Sequence, residues 1–155
     1  MAHGLDIIIV DDDPAVCESL SMVINNFYVW GEVISFTDMD EARNYCLSQK
    51  EGVAIFVLDV FMGDHTGFGF LDAIIDKFPM AYEDAIIITG KASDDIVNMC
   101  IAAEITCLLE KPIKFYSLQL AIRAIVAKYI KFARKLLDNP SIIENIEQFI
   151  NSSSI

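Results

Sequence analysis

Apolar residues along this chain fall into short continuous runs separated by longer stretches with helical spacing. The runs are Asp6–Val10 (DIIIV), Glu32–Phe36 (EVISF), Ala54–Leu58 (AIFVL), Ala85–Thr89 (AIIIT) and Thr106–Leu109 (TCLL). Three of them lack polar alternation, as expected of strands covered on both faces. Between them, Val16, Leu20, Val23, Ile24 and Phe27 repeat at intervals that line one face of a helix. Ala42, Tyr45 and Cys46, with Asp38 near the start, predict a second helix. Phe70, Leu71, Ile74, Ile75 and Phe78 predict a third, stopped by Pro79. Ile96, Val97, Cys100 and Ile101 predict a fourth, capped by Ser93 with Asp94 and Asp95 in its first turn. The fifth is the strongest: Leu118, Ile122, Ile125, Val126, Tyr129, Ala133, Leu136 and Leu137 hold one face for several turns.

Five βα units in series predict an α/β fold with a five-stranded parallel sheet, helices on both faces and right-handed crossovers. Its functional crevice is expected at the carboxyl ends of the strands. Asp138-Asn139-Pro140 ends the long helix, and Ser141-Ile142-Ile143-Glu144 reads as a capping box opening a short amphipathic helix. The tail from Asn151 to Ile155 is expected to fray.

Composition narrows the class. With 155 residues, 17.3 kDa and 54% hydrophobic residues, the chain suits one domain with a sizeable core and excludes disorder over most of its length. The net charge of −12 disfavours non-specific nucleic-acid binding. That charge is uneven: residues 1–110 hold 4 basic and 20 acidic residues, residues 111–155 hold 7 basic and 3 acidic. Cys17, Cys46, Cys100 and Cys107 form no C-x-x-C pair and read as small buried hydrophobes. With only His3 and His65, an imidazole-rich metal site is excluded. The start has no signal-peptide pattern, and charges interrupt the most apolar stretches, Val53–Met62 and Leu118–Ala133. A soluble, cytoplasmic protein with no membrane span is expected.

The chemistry gathers at the strand ends. Asp11-Asp12-Asp13-Pro14 follows the first run, and a helix cap accounts only for Asp13. Adjacent carboxylates Asp11 and Asp12 call for a cation, and a hard one such as Mg²⁺ suits oxygen ligands. Asp59 ends the third run, which the topology sets beside the first. Thr89-Gly90 ends the fourth, and Glu110-Lys111-Pro112 follows the fifth.

Acid pair, Asp, Thr and Lys at strands one, three, four and five resemble the response-regulator receiver domain of two-component signalling, as in chemotaxis regulators. The stretches carrying the likeness are IIIVDDDP, FVLDVFMGDHTG, IIITG and LLEKP, with Met62 and Gly67 at matching places. It covers a receiver domain over residues 5–128, with flavodoxin-like (βα)5 topology. Residues 129–155 then form the rest of an extended fifth helix, the short helix and a tail.

The resemblance implies that Asp59 accepts a phosphoryl group from a phosphohistidine on a sensor histidine kinase or histidine phosphotransfer protein. Asp12 and Asp59 would hold Mg²⁺ directly, Asp11 mainly through water, and the Phe61 carbonyl would add an oxygen. Thr89 and Lys111 would contact phosphoryl oxygens. Such a domain is a signalling module, not an enzyme beyond its own phosphorylation and dephosphorylation. Two places depart from the family pattern. Leu108 stands where an aromatic switch residue is usual, and Gly63 where Pro commonly follows the Met, which predicts a looser loop. His65 reads as a solvated loop residue near the site.

Arg123, Lys128, Lys131, Arg134 and Lys135 line the polar side of the long helix. Two readings stay open: a solvated face, or a linker or homodimerisation helix whose apolar stripe continues through Tyr129, Leu136 and Leu137. The chain reads either as a stand-alone receiver or as a fragment with a missing output domain, toward which the long fifth helix and the tail helix lean, whereas direct nucleic-acid binding by this segment is not expected. The rival to a phosphorylated switch is a pseudo-receiver that serves only as a protein-interaction domain. A flavodoxin-like FMN protein is disfavoured, because three aspartates stand where a phosphate-cradling loop is needed.

Overall fold

The computed structural model describes residues 4–152. Its strands are β1 (Asp6–Val10), β2 (Val33–Phe36), β3 (Ala54–Asp59), β4 (Phe61–Met62), β5 (His65–Thr66), β6 (Ala85–Thr89) and β7 (Leu108–Glu110). Its helices are α1 (Pro14–Asn25), α2 (Met39–Ser48), α3 (Gly67–Ile74), α4 (Asp94–Ala102), α5 (Phe115–Asp138) and α6 (Pro140–Ser152). Five strands form one parallel sheet in the order β2-β1-β3-β6-β7. This is the flavodoxin-like fold that the run-and-helix alternation predicts.

The apolar runs became strands because burial on two faces leaves no place for polar side chains. Ile7, Ile9, Val10, Ile55, Phe56, Val57, Leu58, Ile86 and Ile87 are fully buried. Alternate residues feed opposite layers. Ile8, Val10, Phe56, Leu58 and Ile87 pack with Met39, Ala42 and Cys46 of α2, Phe70, Leu71 and Ile74 of α3, and Ile96 and Cys100 of α4. Phe56 meets Phe70 and Phe78 edge-on, at ring separations of 6.1 and 5.4 Å. Fully burying side chains of this size stabilises the fold by roughly 1.5–3 kcal/mol each.

Helix starts follow the capping residues. Asp13 caps α1 through its own carboxylate, which accepts from the Ala15 N–H at 2.9 Å, with Pro14 at the first helical position. Asp38 caps α2 in the same way, and Ser93 caps α4. Helix α4 closes at Glu104, a non-glycine residue in the left-handed region (φ 60°), with the Ile105 N–H returning to the Cys100 carbonyl at 2.9 Å.

Several expectations are corrected. The third helix ends at Ile74, well before Pro79, so Phe78 packs into the core from a turn. The fifth strand is Leu108–Glu110, not Thr106–Leu109, and the second starts at Val33. The small β4–β5 hairpin was not expected. The capping box does not form: α6 begins at Pro140, which places Ser141 and Glu144 inside the helix. Proline suits that first position because the backbone N–H it lacks has no helical partner there. Asn151 and Ser152 are helical, and residues 153–155 and Met1–His3 lie outside the described residues.

The chain divides into a first unit that ends at Ile122 and a second that begins at Arg123. The second contains the outer part of α5 and all of α6. No helix among the described residues is long and apolar enough to cross a membrane.

Candidate functional site

Register places the site. Val10 is paired with Leu58, and Asp59 with Ile88, so the chain leaving β1 emerges beside the end of β3. Asp11 and Asp12 therefore meet Asp59, and carboxylate oxygens of all three lie within 4.8 Å of one another. Asp11 is buried, Asp59 half-buried and Asp12 exposed.

Asp11 is held from two sides. One oxygen accepts the Asp13 N–H at 2.9 Å, and the other accepts from Lys111 Nζ at 2.9 Å. Behind it, the buried Cys17 thiol donates to the Asp11 carbonyl at 3.2 Å and lies 3.5 Å from the Phe36 carbonyl. Cys17 thus seats the acid loop on β2, a role its sequence context did not disclose. Burial, followed by the nearby charge of Asp11, pushes its thiol pKa up, so it stays protonated.

Lys111 arrives from the end of β7, where its N–H bonds the Thr89 carbonyl at 2.8 Å and the Lys111–Pro112 peptide is cis. Its ammonium also reaches Asp59 at 3.3 Å. Desolvation works to lower its pKa. The hydrogen bond and charge of Asp11, reinforced by Asp59, outweigh that and raise it. Asp59 is shifted up as well. Burial is the main cause and the Asp11 charge adds to it, against the opposing pull of Lys111 and a hydrogen bond from the Phe61 backbone. One ammonium serves two carboxylates and sits closer to Asp11, which leaves Asp59 undercompensated.

The loop after Asp59 forms a tight hairpin. Phe61 pairs with Thr66 and Met62 with His65, leaving Gly63-Asp64 as a two-residue turn. Gly63 has φ 59°, the left-handed value such a turn requires at its first position. The expected looser loop is thus an ordered turn, and proline, fixed near φ −65°, does not fit at Gly63. His65 is exposed on the hairpin. Gly67 starts α3, where a Cβ would sit 2.8 Å from the Asp59 carbonyl oxygen, so a side chain there would disturb the Asp59 backbone.

Thr89 is buried at the end of β6. Its hydroxyl donates to the Lys91 carbonyl at 3.1 Å and accepts the Lys91 N–H at 3.3 Å. Glu110, which the sequence did not mark as a site residue, accepts the Ala92 N–H at 2.7 Å and ties the same loop to β7. Leu108 is half-buried and packs against the core.

The structure therefore gathers Asp11, Asp12, Asp59 and Lys111 in one pocket. Thr89 joins it through its backbone, with its hydroxyl engaged in the β6–α4 loop, and Phe61 stands two residues past Asp59. Three carboxylates against one ammonium leave a surplus of two negative charges. That all-oxygen donor set fits a hard divalent cation such as Mg²⁺.

A family model described as the response regulator receiver domain matches residues 7–123. Solved structures share the fold. The chemotaxis protein CheY4 of Vibrio cholerae is 21% identical with a TM-score of 0.66, covering 78% of this chain and 98% of that one. The signal receiver domain of a DNA-binding response regulator from Colwellia psychrerythraea is 23% identical with a TM-score of 0.68, covering 79% and 98%. A two-component transcriptional regulator from Clostridium phytofermentans is 21% identical with a TM-score of 0.70, covering 82% and 96%. No curated protein matches. From its fold, its strand-end residues and the family match over most of its length, the chain belongs to the response regulator receiver domains.

Proposed function

We infer that this receiver domain is a phosphorylation switch acting in the cytoplasm, with Asp59 as the acceptor. The observation that carries this reading is the charge surplus around Asp59, with Lys111 poised between it and Asp11 at 3.3 and 2.9 Å. The donor is a phosphohistidine on a sensor histidine kinase or histidine phosphotransfer protein. The domain's chemistry is confined to its own phosphorylation and dephosphorylation.

An Asp59 oxygen attacks phosphorus, the P–N bond breaks, and its electron pair leaves with the imidazole. The product is an aspartyl phosphate. Asp11, Asp12, Asp59 and the Phe61 carbonyl would hold Mg²⁺. Bound there, the ion supplies charge that offsets repulsion between carboxylate and phosphate. Lys111 turns its ammonium to the phosphoryl oxygens where negative charge gathers. Thr89 contributes its hydroxyl after releasing Lys91. That release loosens the β6–α4 loop, which Glu110 still ties to β7, and couples the modification to a surface change.

The test is an intact mass spectrum after incubation with Mg²⁺ and acetyl phosphate. The wild type is expected to gain one phosphoryl group, and Asp59→Asn and EDTA-treated protein none. Should acetyl phosphate fail, Mg²⁺-dependent binding of beryllofluoride is the second readout. Failure of both overturns this reading in favour of a pseudo-receiver that works only by protein contact.

A further inference from the structure

The loop from β6 to α4 is open to solvent, with residues 90–95 all exposed. Packing therefore does not fix it, and a Cβ at Gly90 would meet no atom within 4 Å. Hydrogen bonds hold the loop instead. From β6, the Thr89 hydroxyl donates to the Lys91 carbonyl at 3.1 Å and accepts the Lys91 N–H at 3.3 Å. From β7, a Glu110 carboxylate oxygen accepts the Ala92 N–H at 2.7 Å. Among the described residues, this is the one side-chain bond that ties the loop to an element other than the two it joins.

The two attachments differ in strength. The Glu110 bond is short and charge-assisted, and such bonds are roughly twice as strong as neutral ones. The Thr89 bonds are longer and neutral. The backbone at Thr89 is itself fixed, because Thr89 pairs with Glu110 across the two strands and its carbonyl accepts the Lys111 N–H at 2.8 Å. When the Thr89 hydroxyl turns away, the Lys91 carbonyl and N–H lose their partner, and the loop must shift for water to replace it. Glu110 holds Ala92, the next residue, and resists that shift. Its carboxylate bonds the loop and not the acid pocket, whereas its chain neighbour Lys111 bonds Asp11 and Asp59.

We propose that Glu110 is a positioning residue for the phosphoryl switch: by holding Ala92 it keeps the Lys91 backbone on the Thr89 hydroxyl and favours the unphosphorylated arrangement of the β6–α4 loop. This rests on the reading of Asp59 as phosphoryl acceptor. Glu110 acts through Thr89, so removing its carboxylate lowers the cost of turning that hydroxyl to the phosphoryl oxygens. The pocket then takes the group more readily.

The test uses the full chain, with amide exchange followed residue by residue and Mg²⁺-dependent beryllofluoride binding followed by calorimetry. Without beryllofluoride, Glu110→Ala is expected to speed exchange of the Ala92 amide by about fivefold or more. The β1 and β3 amides should exchange as in wild type, which shows an intact fold. Beryllofluoride affinity, or the rate of phosphorylation by acetyl phosphate where that ligand does not bind, is expected to rise about two- to tenfold, the range that one net hydrogen bond supplies. Glu110→Gln keeps an acceptor oxygen and should fall between. In a Thr89→Ala background the gain from Glu110→Ala should vanish, because no hydroxyl remains to be released, whereas a merely structural effect would persist. A wild type that neither gains a phosphoryl group nor binds beryllofluoride overturns the phosphorylation reading, and the role of Glu110 with it. A competent wild type with an equal or less competent Glu110→Ala overturns the role of Glu110 alone. So does unchanged Ala92 exchange, or a gain that survives Thr89→Ala.

Discussion

The pocket at the strand ends and the helical extension solve opposite problems. In the pocket, polar side chains from distant parts of the chain are brought together and answer one another: Lys111 bonds an aspartate 100 residues away. In the extension, neighbours in sequence form helices by local contacts, and no side chain of α6 is buried among the described residues. The pocket is dense in charge and short of one cation. The extension is complete in local structure and short of a surface. Each deficiency is informative because burial of a charge, or exposure of apolar side chains, costs free energy that a missing partner would recover.

The sharpest way to break this contrast is Lys111→Ala. It leaves Asp11 and Asp59 without their cation. Breaking a fully buried pair in this way costs about 3–5 kcal/mol. Lys111 is 27% exposed, so about 2–3 kcal/mol is expected from urea unfolding. Added Mg²⁺ should recover part of that loss, and full stability without Mg²⁺ would mean the carboxylates need no compensation.

Gly67→Ala comes next. The added methyl meets the Asp59 carbonyl at 2.8 Å and the Leu58 side chain at 3.3 Å. The clash outweighs the helix-propensity gain of alanine, for a net loss of about 1–2 kcal/mol. A neutral or stabilising effect in the same urea assay would show that the start of α3 has room to shift away from Asp59.

Asp59→Asn probes the pocket without new volume. Folded Asp59 keeps its proton to higher pH than its ordinary value of 3.8. Between 3.8 and the raised value the native state binds more protons than the unfolded state. This residue's contribution therefore falls as pH rises through that window and is fully lost above it. Without Mg²⁺, Asp59→Asn should be more stable than wild type at neutral pH, with the difference shrinking on acidification through the window. An equal stability difference across that pH range in thermal melts would contradict the raised value.

The smallest effect belongs to the extension. Leu137 is 80% exposed, so Leu137→Ser should change stability by no more than about 0.5 kcal/mol. A larger loss in urea unfolding would show that Leu137 is covered in the folded protein.

Much of the fold was legible in the sequence because strands buried on both faces admit few polar residues. DIIIV, AIFVL and AIIIT could hardly be anything else. Asp13, Asp38 and Ser93 were legible as helix starts because capping is local chemistry. Boundaries set by packing were not: Phe78 follows the periodicity of α3 but enters the core from a turn. The hairpin Phe61–Thr66 was hidden because two residues per strand carry no periodicity.

For the site, the strand-end position of Asp11, Asp12, Asp59, Thr89 and Lys111 could be read from topology alone. Chain order sets which strands follow which helices, and parallel strands deliver their carboxyl ends to one edge. Other features were decided only in three dimensions. Lys111 leans closer to Asp11 than to Asp59, Cys17 seats the acid loop, and Thr89 and Glu110 hold the loop before α4. Each of these contacts joins segments by distance and angle, and hydrogen bonds depend on both within a few tenths of an ångström. Sequence by itself determined which residues stand at the strand ends, because the order of strands and helices is a property of the chain. Tertiary structure alone decided which oxygen answers which donor, because that choice depends on packing among elements far apart in sequence.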